Sequence, residues 1–71
     1  MKKHEIIIGR TYSNGNGRMR EVLDIGDYPL YSQQSDRVCV MYRQVINGRP
    51  ATRGNMTLAS FATWAKNEVI D

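Results

Sequence analysis

The stretch RTYSNGNGRMR, residues 10–20, sets two Asn-Gly pairs back to back between Arg10, Arg18 and Arg20. Asn-Gly takes the positive φ angles that tight hairpins require, so the stretch reads first as a hairpin loop. A glycine-rich loop framed by cations also lets backbone N–H groups approach an anion. The same residues therefore read equally as a phosphate cradle.

Working outward, EIIIGRTY (5–12) is β-branched and aromatic and stops at the turn cluster, which predicts a strand over about 5–12. On the other side, MREVLDIGD (19–27) alternates, placing Leu23 and Ile25 on one face and Arg20, Val22 and Asp24 on the other. YPLYSQQSD (28–36) mixes Pro, Ser, Gln and Tyr as a loop does. RVCVMYRQVI (37–46) is apolar on both parities through Val38, Cys39, Val40 and Met41, the pattern of an interior strand. A third Asn-Gly, Asn47-Gly48, turns the chain into a short strand over about 49–53. Pro50 confines that strand to an edge or a strand start, because it has no N–H for a ladder.

From Thr57 the period changes. Leu58, Phe61, Ala62, Ala65 and Val69 recur at helical spacing behind Thr57 as N-cap, predicting a helix over about 58–69. Trp64 lies beside that stripe and is expected to pack on the sheet. An antiparallel meander of this length closed by a helix is mainly β and predicts a small SH3-like antiparallel barrel with a C-terminal α-helix, one domain over residues 1–71.

A chain of 71 residues buries only ~60% of the surface its unfolded form exposes. Its core is thin, and a homodimer or higher oligomer is the expected remedy. Cys39 is the single cysteine, which excludes an intramolecular disulfide or a cysteine metal cluster. MKKHEIII has three consecutive apolar residues, far short of a signal core or a membrane span, so a cytoplasmic protein with no membrane partner is expected.

The residues offer little for catalysis. His4 stands alone, Cys39 sits in a buried strand, and Asp24 and Asp27 point to different faces. Glycines at 9, 15 and 17 have the wrong spacing for a dinucleotide fingerprint, and no Walker-type sequence occurs. The reading is a non-enzymatic protein with no cofactor and no metal.

Binding has more to stand on. Net charge is +3, and seven of the ten basic residues are Arg, whose planar fork grips phosphate bidentately. In a meander the first and third connections share one end of the sheet, which would gather Arg10, Arg18, Arg20 and Arg49 there, with Tyr12 alongside. A second candidate surface is the loop carrying Tyr28 and Tyr31 beside Gln33, Gln34 and Arg37, since tyrosine faces stack on bases and amides read their edges.

The order Gly9-x-x-Tyr12, a short polar loop, REVLDIG at 20–26, VMYR at 40–43, Gly48 and TLASFATWA at 57–65 resembles short bacteriophage-encoded proteins and related bacterial SH3-like domains over nearly the whole chain. The resemblance implies an accessory or anti-defence factor in the host cytoplasm. Such a protein would capture a nucleotide-type, phosphate-bearing small molecule. The alternatives that stay open are a nucleic-acid-binding module and an inhibitor of a host defence or replication protein.

Overall fold

The computed structural model describes residues 1–27 and 38–70; the expected loop at 28–36 lies outside them. Among these residues the protein is mainly β. Its strands are β1 (Thr11–Ser13), β2 (Met19–Asp27), β3 (Val38–Ile46), β4 (Arg49–Thr57) and β5 (Asn67–Val69), with one α-helix, α1 (Leu58–Trp64), between β4 and β5. They form one antiparallel sheet in the order β4-β3-β2-β1-β5.

The turn chemistry acts as its residues dictate. Asn47 and Gly48 both have positive φ, 52° and 76°, which is the twist a two-residue hairpin needs between β3 and β4. Between β1 and β2, Ser13 Oγ accepts from the Gly15 N–H (3.1 Å) and Asn14 Oδ1 accepts from the Asn16 N–H (2.9 Å), so the polar side chains brace their own loop.

Four expectations are corrected. The short strand expected over 49–53 runs on to Thr57, because β4 pairs with β3 along its length, from Arg49 opposite Ile46 to Thr57 opposite Cys39. The segment expected as a strand over 5–12 is extended only at Thr11–Ser13; Lys3–Glu5 form a 3₁₀ turn. Tyr12 is the reason. Its Oη donates to the Glu5 carbonyl (2.7 Å) and accepts from the Ile7 N–H (2.8 Å), which folds the preceding segment back onto β1. The helix ends at Trp64, short of the expected residue 69, because Ala65 takes an extended conformation and the Lys66 N–H donates to Ser13 O (2.8 Å). The chain thereby joins β1 as β5. Finally, a bulge at Leu23 reverses the alternation of β2. Val22 pairs with Tyr42 but Asp24 with Met41, so Asp24 faces away from Val22 and Ile25 rejoins it.

The core lies between the sheet and α1. Tyr12, Val22, Val40, Phe61 and Ala65 are fully buried, with Ile6 and Ala62 nearly so. Phe61 stands at its centre, edge-on to Tyr12 at 5.8 Å and tilted against Trp64 at 5.5 Å and Tyr42 at 6.1 Å. The helix is fixed at both ends: Thr57 Oγ1 accepts from the Ser60 N–H (3.1 Å), and the Met1 nitrogen donates to the carbonyls of Ala62 (2.8 Å) and Ala65 (3.0 Å). Across β4, the ring of Tyr42 lies against its register partner Gly54, where a Cβ would meet Tyr42 Oη at 2.7 Å and Cζ at 2.9 Å.

Candidate functional site

The two hairpin turns flank one cleft of about 330 Å³, lined by residues 17–20 on the β1–β2 side and 44–47 on the β3 side. The meander places it there: Met19 pairs with Val45 and Arg20 with Gln44, so the turn-proximal ends of β2 and β3 lie side by side. Its size is at the small end of ligand sites. None of its lining residues is acidic, and two are arginines, Arg18 and Arg20.

Those two arginines differ in surroundings. Arg18 is exposed at the end of its loop. Arg20 is half-buried, with its guanidinium carbon 4.5 Å from the centre of the Tyr42 ring and 4.4 Å from that of Trp64. Its Nη1 also donates to Met56 Sδ (3.4 Å). Each ring attracts the cation through its negative face, and packing against both restricts the rotamers open to the side chain. Of the five guanidinium N–H groups, only one has a protein acceptor among the described residues, and that acceptor is weak.

The remaining expected site residues fall elsewhere. Arg10 does not line the cleft; its Nη1 lies 3.2 Å from Glu68 Oε1 on β5. Arg49 is exposed, immediately after the Asn47-Gly48 turn, beside the cleft without lining it. Tyr12 is fully buried and its hydroxyl is engaged by Glu5 and Ile7, so it is a core residue and presents no face to a ligand. Tyr28 and Tyr31 lie outside the described residues. The anticipated backbone cradle is also reduced, because the N–H groups of Gly15 and Asn16 are already used within their own loop.

Sequence reasoning missed the clamp formed by Tyr42 and Trp64 and the contribution of Gln44. A signal was present: Tyr42 has the same parity on β3 as Val40, and Trp64 follows Phe61 by one helical turn. Neither His4, exposed on the 3₁₀ turn, nor the buried Cys39 lines the cleft. Among the described residues no group of three or more His, Cys, Asp or Glu could hold a metal ion, and no helix is long and apolar enough to cross a membrane. Comparison with protein-family models, curated proteins and solved structures finds no match for this chain.

Proposed function

We propose that the protein is a non-enzymatic binding module that captures a phosphate-bearing ligand, a nucleotide first among them, in the cleft between its two hairpin turns. The observation that carries this reading is the acid-free lining of that cleft, which includes two arginines: Arg18, exposed, and Arg20, whose guanidinium packs on Tyr42 and Trp64. A guanidinium whose rotamers are restricted before binding loses less entropy when it grips an anion. Arg18 supplies a second charge that can swing in. Capture without turnover is what a sequestering anti-defence factor would require.

The fold reading is refined in the same spirit as a small SH3-like barrel. Supporting it is the route of the chain, a four-strand meander that returns through a helical turn to pair β5 with β1. Arg20 on β2 also reaches Met56 on β4 across the intervening strand, as a strongly curled sheet allows.

Calorimetric titration with mononucleotides and cyclic nucleotides tests the function. Arg18→Ala is expected to weaken binding about tenfold or more, the loss of one charge-assisted bond, with an unchanged melting temperature. Arg20→Ala should lose both binding and some stability, since it vacates the space between two rings. Binding that survives the double variant, or no binding of any nucleotide by the wild type, overturns the proposal.

A further inference from the structure

A second group of arginines lies outside the cleft. The hairpin of β3 and β4 carries Arg43, Arg49 and Arg53 and not one Asp or Glu. Arg43 and Arg53 are direct cross-strand partners. They follow the opposite parity to Tyr42 and Gly54, so they project from the face turned away from α1. Like charges directly opposed on a sheet destabilise it unless something of opposite sign lies between them. The row they belong to runs Val69, Thr11, Glu21, Arg43, Arg53, and Glu21 is its one acid. Yet Arg43 and Arg53 form no ion pair with a carboxylate among the described residues, where Arg10–Glu68 is the pair that forms. Two guanidinium groups are thus set side by side, sharing this face with Glu21, the register partner of Arg43, and with Asp24, opposite Met41, and Glu21 does not close an ion pair with either.

This pair is continuous with the cleft. Val45, which lines the cleft, has the same parity on β3 as Arg43 and lies ~7 Å from it along the strand. The basic track therefore starts between the turns, where Arg18 and Arg20 sit, and passes over the end of the sheet onto its outer face.

We propose that the ligand is a single strand of nucleic acid, with one phosphate in the cleft and the following phosphodiester groups carried by Arg43 and Arg53. The inference rests on the phosphate reading of the cleft and names what enters it. A mononucleotide occupies the cleft alone; a strand also reaches the arginine pair. A duplex does not fit the path, because its persistence length of ~50 nm resists turning over the end of so small a sheet. A flexible single strand makes that turn at little cost.

Fluorescence anisotropy with a labelled 12-nucleotide oligothymidine, beside calorimetry with thymidine monophosphate, tests this. The wild type should bind the 12-mer at least about tenfold more tightly than the mononucleotide. Arg43→Gln with Arg53→Gln should erase that advantage, lower the slope of log K against log salt by about 1.4, at about 0.7 per lost contact, and leave mononucleotide affinity unchanged. Circular dichroism checks that this variant is folded. Arg43→Lys with Arg53→Lys should retain most of the slope, and Glu21→Gln should strengthen 12-mer binding. Equal affinity for the 12-mer and the mononucleotide sinks the strand inference while leaving the cleft reading intact. So does tighter binding of a matched duplex, or a Gln variant that behaves as wild type. Absence of mononucleotide binding by the wild type removes the cleft reading and this inference with it.

Discussion

Around Tyr12, polar groups that enter the core meet partners there, and the segments they join come from both ends of the chain: Glu5 and Ile7 before β1, Phe61 and Ala65 after β4, and Met1 at the end of the helix. Among the described residues no buried side-chain nitrogen or oxygen lacks a hydrogen-bond partner. Along β3 and β4 the situation reverses. Half the hairpin is exposed, its three arginines have no acid on either strand, a bulge interrupts the register between Arg43 and Val45, and Pro50 lies on the outermost strand. The first region is organised to hold together, and the second is the one on which the proposed binding draws. Arg20 stands between them, its guanidinium packed on the core aromatics and its strand position lining the cleft.

The strongest way to break this comparison is Phe61→Ala. Removing the ring that Tyr12, Tyr42 and Trp64 share should cost about 3–5 kcal/mol, most of what a small domain has, and urea titration should show a chain largely unfolded without denaturant. A variant with a near-normal midpoint would mean the core is elsewhere. Tyr12→Phe is the next test. It leaves the Ile7 N–H and the Glu5 carbonyl without their partner, worth about 1–3 kcal/mol, and should lower the melting temperature by about 4 °C or more with nucleotide affinity unchanged. Weakened binding at an unchanged melting temperature would return Tyr12 to the ligand site. The smallest effect belongs to Arg10→Ala. Its pair with Glu68 is half-exposed, 54% for the arginine side chain, so the loss should stay below about 1 kcal/mol and fade as salt is added.

How much of this was legible depended on whether the signal was local. The turns were: Asn47-Gly48 and the Ser-Asn-Gly loop specify their own backbone, and β2 and β3 follow as strands from alternation and apolar run, although the bulge at Leu23 that reverses the faces of β2 does not. The Thr57 cap was likewise readable from one residue and its neighbours. Tyr12 was not, since a tyrosine beside a hairpin looks the same in sequence whether its hydroxyl faces water or a carbonyl seven residues back. The early end of α1 was hidden for a similar reason. Ala65 and Val69 continue the helical period, but the Lys66 bond to Ser13 and the pairing of β5 with β1 join positions more than fifty residues apart. At the site, the sharing of one sheet end by Arg18, Arg20 and Asn47 followed from meander topology alone. The capture of Arg10 by Glu68 and of Arg20 by two rings required the folded chain.

Gly54 gives this arrangement an unexpected weak point. Its backbone is not left-handed; the position is restricted by space, because the ring of Tyr42 occupies the place a side chain would take. That ring is hemmed in by Phe61 and by Arg20, so it has little room to withdraw. In a saturation-mutagenesis library, Gly54 would therefore score as intolerant as a core residue although it sits on an edge strand. Even alanine there would be read out as a shift of Tyr42 and a loosened Arg20, two strands away from the substituted position.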